Sequence, residues 1–315
     1  MTDEFKADEE RRPLGEALAE IRAGNMSARQ LSRLSDLSRR DARELAAAWA
    51  TIPEETRADL VRRCDELSEE RIDLNFGRML RVAMEDASPV VRQLAIPGLW
   101  EDESRDLLDR LRALFEHDAS PDVRAEAAAA LGRFAGRGAA GSLDEATARR
   151  LRDDLLRATA EDEPSYTVRR RAMESLGAFG DDARVAASIA DAYDSGDHGM
   201  QCSAVYAMGR SLDARWLPKI LAELESAEPE LRFEAARAAG ALGSPDGLPA
   251  LLEAAHDEDV EVRHAAIASI GKIGGRGAAR ALERLAEEAG ESDLELIEAA
   301  LEEASTMLDP FQSAP

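Results

Sequence analysis

Apolar residues in this chain recur at helical spacing inside a longer pattern that returns about every 31 to 35 residues from the middle of the N-terminal third onward. The copies read SPVVRQLAIPGLW (88–100), SPDVRAEAAAALG (120–132), SYTVRRRAMESLG (165–177), DHGMQCSAVYAMG (197–209), EPELRFEAARAAG (228–240) and DVEVRHAAIASIG (259–271). Counted from the apolar residue that precedes the shared Arg, the apolar offsets 0, 4, 5 and 8 span roughly 140° on a helix turning about 100° per residue. Each copy therefore predicts one amphipathic helix with a single buried face. The intervening stretches SRDLLDRLRALFEHD (104–118), DARWLPKILAELES (213–226) and GLPALLEAAHDED (247–259) are again apolar at spacings of three and four, so each unit is a helix pair.

Stacked helix pairs without strands make an all-α fold, a right-handed α-solenoid. The column of Arg92, Arg124, Arg169, Arg232 and Arg263, each preceded six positions earlier by Asp86, Asp118, Glu163, Ser226 and Asp257, resembles the HEAT-repeat family, in particular the short bacterial HEAT-like repeats of phycobilin lyase subunits and deoxyhypusine hydroxylases. The resemblance covers roughly residues 36–308 and implies a ladder of Arg–carboxylate pairs between neighbouring units. If its rungs are partly exposed, each contributes about 0–1 kcal/mol. Gln201 in place of Arg and Ser226 in place of an acid predict a break in that ladder. The last unit, DLELIEAALEEAS (293–305), puts Ile297 in the Arg column, as expected of a terminal repeat with one uncovered face. A weaker first unit spans SRRDARELAAAWA (38–50) and PEETRADLVRRCDEL (53–67), with Arg57 near the column.

The predicted layout is an acidic tail and short helical cap over 1–35, seven to eight helix pairs over 36–308, and a frayed tail over 309–315. Glycines recurring after each copy, as in GRGAAG (136–141), GAFGDD (177–182), GALGSPDG (240–247) and GKIGGRG (271–277), read as helix stops. The first and last of these strings imitate nucleotide-binding loops, but such loops need a preceding strand, and here a repeat helix stands in its place.

Sixty-four acidic residues against 40 basic ones give a net charge of −24, and the lysines are only Lys6, Lys219 and Lys272. That balance opposes binding to phosphate backbones and argues against nucleic-acid partners. Neither a leader pattern nor a run of about 18 apolar residues is present, so no membrane partner is expected and the cytoplasm is the default location. Cys64 and Cys202 fall in different units and read as two reduced thiols. His117, His198, His256 and His264 form no His–His pair at i, i+4 and no HExxH; where deoxyhypusine hydroxylases carry His–Glu pairs for iron, this chain reads Phe233–Glu234, and Ala265 follows His264. No metal, cofactor or catalytic group is expected from these spacings.

What remains is surface. Offsets 2 and 6 fall at about 200° and 240°, away from the buried centre near 70°. The family resemblance places this row on an inner, concave wall: Gln93 and Pro97, Ala125 and Ala129, Arg170 and Glu174, Cys202 and Tyr206, Phe233 and Arg237, His264 and Ala268. Arg210 and Lys272 join it at offset 10 and should leave the wall less acidic than the body. Aromatic and Arg side chains dominate binding hot spots, so the candidate binding residues are Arg170, Glu174, Cys202, Tyr206, Arg210, Phe233, Arg237, His264 and Lys272. The expected function is a non-enzymatic scaffold for a protein or extended peptide. The alternative is a lyase-like enzyme or chaperone that holds a tetrapyrrole against Cys202 and His264.

Overall fold

A computed structural model describes residues 13–160, 162–288 and 290–306; the expected acidic tail at 1–12 and frayed tail at 309–315 lie outside these. The described residues are helical, with turns and 3₁₀ segments between helices and no strand among them. The chain divides into two compact units, residues 1–134 and 135–315.

The first unit opens with α1 (Leu14–Arg22) and α2 (Ala28–Ser32), then α3 (Arg39–Trp49), α4 (Glu54–Glu70), α5 (Gly77–Ala83), α6 (Pro89–Ala95), α7 (Arg105–His117) and the start of α8 (Pro121–Ala139). Leu14, Ala17, Leu18 and Ile21 form the buried face of α1, the three-and-four spacing that a helix needs to cover a neighbour. It packs on α3, and α2 packs on α4, so residues 14–32 lie against the first helix pair. From there each helix meets the one two places on, α3 with α5 and α4 with α6, which is how stacked pairs differ from a bundle. Local chemistry sets the starts: Ser38 and Asp41 close a reciprocal capping box at α3, and the Ser104 hydroxyl accepts the Leu107 N–H at α7.

The second unit holds α9 (Glu145–Ala158), α10 (Tyr166–Leu176), α11 (Ala183–Tyr193), α12 (His198–Arg210), α13 (Leu217–Glu223), α14 (Pro229–Leu242), α15 (Leu248–Ala254), α16 (Val260–Ile273), α17 (Gly275–Glu288) and α18 (Glu291–Thr306). The second helices α10, α12, α14, α16 and α18 pack successively on one another.

Glycine makes that stacking close, and here the sequence expectation is corrected. Gly209, Gly240 and Gly271 lie inside their helices and are not stops, whereas Gly177 caps the end of α10 and opens a 3₁₀ turn. A Cβ on Gly177 would sit 2.6 Å from the Ala207 carbonyl oxygen, one on Gly209 2.6 Å from Ala238 Cα, one on Gly240 2.5 Å from Ser269 Cβ, and one on Gly271 2.9 Å from the Ala300 carbonyl oxygen. The column is a seam where each second helix touches the next at bare backbone. Stops with positive φ lie further on, at Gly243 (φ 63°) and Gly274 (φ 67°). GRGAAG closes α8 and GKIGGRG joins α16 to α17, so both nucleotide-loop imitations are helix ends.

The Arg ladder exists, with a direction the sequence column does not reveal. Arg57, Arg92, Arg232 and Arg263 each turn back to a carbonyl just before their own helix and forward to the acid of the next pair. Arg92 donates to the Asp86 carbonyl at 2.8 Å and to the Asp118 carboxylate at 2.7 and 2.8 Å; Arg232 does the same with the Ser226 carbonyl and Asp257. Arg57 with Asp86 and Arg263 with Asp293 form further rungs. Each of Asp86, Asp118 and Asp257 also accepts the N–H two residues on, fixing the turn into its second helix. These rungs are mostly buried, so the value given for partly exposed pairs does not apply to them. At Gln201 the ladder is broken: Ser195 and Ser226 keep the turn hydrogen bonds with hydroxyls but bring no charge. Glu223 there takes Gln201 and Tyr193, and the Tyr193 hydroxyl is pushed up to about 12 by burial and by that carboxylate.

This arrangement predicts acid lability. Arg232 holds Asp257 below the usual carboxylate range, and Arg184 holds Asp182 down at about 2. Groups whose folded pKa is depressed bind protons more weakly folded than unfolded, so their stabilisation is complete above about pH 4 and disappears as pH falls toward their folded values. Helical melts should shift steadily downward between about pH 5 and pH 2; a flat midpoint across that window would contradict the ladder's charge state.

Candidate functional site

The predicted binding residues fall on α10, α12, α14 and α16, all in the second unit. Tyr206, Phe233 and Arg237 come together: the Arg237 guanidinium lies 5.4 Å from the centre of each ring, and the side chain is also anchored by Glu234 at 3.4 Å. Arg237 is exposed and the two rings are half-buried, so an apolar shelf carries a solvent-facing cation. Arg170 and Glu174 meet across Ser203, whose hydroxyl accepts from Arg170 Nε at 2.9 Å and donates to Glu174 Oε1 at 3.0 Å. Glu234 lies between the two groups. Burial and the nearby Glu174 push its carboxyl up, against the pull of Arg237 and Arg170.

The other predicted residues stand differently. Cys202 is buried, contrary to the outward position expected at offset 2. Its thiol is pushed up to about 11 by burial and by Glu230 and Glu234. His264 pairs with Asp293 at 3.0 Å at the next helix, Arg210 lies near Gly136 at the end of α8, and Lys272 is exposed. Arg171 and Arg237 each pair with a glutamate of their own helix, so the patch is charge-balanced.

Sequence reasoning missed Ser203, Glu234 and Glu230, because their roles depend on the adjacent helix. It also passed over His198 and Cys202, one helical turn apart in α12, having sought His–His and His–Glu pairs. In the first unit a cavity of about 820 Å³ is lined by Ile72, Arg78, Arg81 and Trp100, among others. Ile72 and Trp100 are strongly exposed. The signal was present, since Trp100 occupies the column where later copies carry glycine.

These geometries define a helical-repeat protein, an α-solenoid of stacked helix pairs with its chemistry on the second helices. HEAT repeats match residues 78–162 and 217–304, more than half of the chain, and the PBS lyase HEAT-like repeat matches residues 168–195. The chain belongs to the HEAT-repeat family. Among solved structures it is similar to the CpcE–CpcF complex of phycocyanin lyase from Nostoc sp. PCC7120, at 20% identity and TM-score 0.49, covering 72% of this chain and 94% of that one. It is also similar to human deoxyhypusine hydroxylase in complex with glycerol, at 20% identity and TM-score 0.36 over 86% and 96% of the two chains. Escherichia coli YibA matches at 16% identity and TM-score 0.42 over 78% and 96%. These are likenesses of fold. No curated protein sequence matches the chain. Among the described residues, no helix is long and apolar enough to cross a membrane.

Proposed function

We propose that the chain is a non-enzymatic scaffold whose second-unit wall of second helices binds a protein or an extended peptide. The observation that supports this most directly is Arg237 held over Tyr206 and Phe233, since aromatic and Arg side chains with water-excluding surroundings carry most binding energy in protein interfaces. The charge-balanced patch favours a peptide able to satisfy Glu174, Arg170 and Glu234 in turn, while the net charge of −24 opposes nucleic acid. Tetrapyrrole holding by Cys202 has less support, because that side chain is buried and not presented on the wall.

Affinity capture with wild type and two variants side by side tests the reading. Arg237→Glu sits on an exposed side chain and should change stability by about 1 kcal/mol or less. Tyr206→Ala with Phe233→Ala removes the shelf. Both should lose the same partner while their circular dichroism remains helical. A folded pair of variants that keeps every partner moves the binding surface elsewhere, and the first-unit cavity beside Trp100 is the next place to mutate.

A further inference from the structure

Beside that wall, on the N-terminal turns of α12 and α14, His198, Cys202 and Glu230 bring an imidazole nitrogen, a thiol sulfur and a carboxylate oxygen within 4.8 Å of one another. His198 Nε2 lies 3.1 Å from Glu230 Oε2 and 3.8 Å from Cys202 Sγ. Tetrahedral zinc, with bonds of about 2.0–2.1 Å to nitrogen and oxygen and about 2.3 Å to sulfur, separates N and O ligands by about 3.3 Å and N and S ligands by about 3.5 Å. Changes of a few tenths of an ångström bring the two His198 edges to that geometry, and the Cys202–Glu230 edge, which lies within 4.8 Å, closes to about 3.5 Å by movement of the exposed Glu230 side chain.

Among the described residues this is the group of three or more ligand-type side chains that converges in this way. Two features make it more than a chance cluster of polar groups. Two ligands at i, i+4 on one helix face keep their spacing through the helix backbone, and the third arrives from the adjacent stacked helix, so the site is fixed by the repeat packing itself. Its surroundings are also built. Asp197, the N-cap of α12, accepts from the Met200 N–H at 2.8 Å and from the Tyr166 hydroxyl, and a Cβ on Gly199 would collide with that hydroxyl. Glycine at 199 thus lets Tyr166 close over the turn that carries His198.

Charge decides which ion fits. A thiolate and a carboxylate neutralise a divalent cation, with histidine as the neutral third ligand. Helix N-termini oppose a cation, and so does Arg170, whose charge reaches Cys202, but Arg170 pairs with Glu174 at 4.0 Å, and Asp197 and Glu234 add negative charge close by. Thiolate with imidazole selects zinc-class ions over magnesium or calcium. We infer that His198, Cys202 and Glu230 form a three-ligand site for a zinc-class divalent cation, with a fourth position left to water or to a side chain of a bound partner. The inference does not depend on the scaffold reading, since none of its ligands is among Tyr206, Phe233 and Arg237.

Cobalt(II) titration of the full chain under reducing conditions reads the site directly, through tetrahedral d–d bands and a thiolate-to-cobalt charge-transfer band, with zinc displacing the cobalt. Wild type and Cys64→Ser should bind one equivalent with that band, and Cys202→Ser should lose it. His198→Gln and Glu230→Gln alter partly exposed side chains, leave the fold intact even should Cys202→Ser misfold, and should weaken zinc at least about tenfold. No thiolate band in wild type, a band that survives Cys202→Ser, or unchanged zinc affinity in both His198→Gln and Glu230→Gln would overturn the assignment.

Discussion

Gly209→Ala should destabilise the chain by about 1–3 kcal/mol, although alanine is ordinarily worth about 1 kcal/mol more than glycine inside a helix. The added Cβ would lie 2.6 Å from Ala238 Cα and 2.8 Å from its Cβ, distances that real Cβ atoms do not reach. No side-chain rotation relieves the clash, because the nearest atom is helix backbone; α14 must move away from α12, and the packing beyond it must follow. Gly277 supplies the control. It is exposed near the start of α17, and a Cβ there meets only Leu248 Cδ2 at 3.5 Å, an ordinary contact. Gly277→Ala should therefore leave thermal stability unchanged or raise it by up to about 1 kcal/mol. Thermal and denaturant melts followed by circular dichroism compare the two. A Gly209→Ala protein as stable as wild type would mean that the close approach of second helices is not what the column is for.

The seam shows where a single sequence stops being readable. Apolar periodicity reports which face a helix buries, so the helix pairs were legible. A glycine near the end of a periodic stretch is ambiguous: it serves equally as a stop with positive φ or as a point of backbone contact. Gly243 and Gly274 are the former, Gly240 and Gly271 the latter. The ladder was ambiguous for the same reason. Asp257 stands six residues before Arg263 in sequence, yet its carboxylate belongs to Arg232, 25 positions back, because only stacking decides which Arg faces which acid.

The candidate wall was partly legible. Offsets 2 and 6 were placed outward from the contact that a helix makes with its own pair partner. Second helices also pack on each other, and this adds a second buried strip at offsets 3 and 7, seen in Ser203, Ala207, Ala238 and Ser269. The exposed arc is correspondingly narrower. Arg237 remains on it, Tyr206 and Phe233 are half covered, and Cys202 is lost to the interior beside His198 and Glu230. Counting arginines along the row does not show that glutamates of the same helices, such as Glu174 and Glu234, pair with them.

The largest single-residue loss expected in the first unit follows from the ladder's most buried member. The Asp86 side chain is 1% exposed and accepts four hydrogen bonds: from Trp49 Nε1 at 2.6 Å, from Arg57 Nε at 2.6 Å and Nη2 at 3.0 Å, and from the Ser88 N–H at 2.7 Å. Asp86→Ala leaves an indole N–H, a backbone N–H and most of a guanidinium without an acceptor, and water cannot reach them at little cost. Removing one partner of a buried pair in this way costs about 3–5 kcal/mol. Asp86→Asn keeps one acceptor oxygen and should cost about 1–3 kcal/mol, mainly from the lost charge-assisted bonds to Arg57. The variants should differ from wild type in their acid response as well. Burial opposes ionisation of Asp86, but Arg57, the Ser88 N–H and Trp49 together hold its carboxyl below the usual range. Its contribution is therefore present above about pH 4 and lost on acidification in wild type, whereas Asp86→Asn has no such term to lose. Urea unfolding at pH 7 and at pH 3 should show a gap between wild type and Asp86→Asn that narrows at the lower pH. An equal gap at both values, or an Asp86→Ala chain within 1 kcal/mol of wild type, would show that the four donors find other acceptors and that the rung is not what ties α4 to the turn before α6.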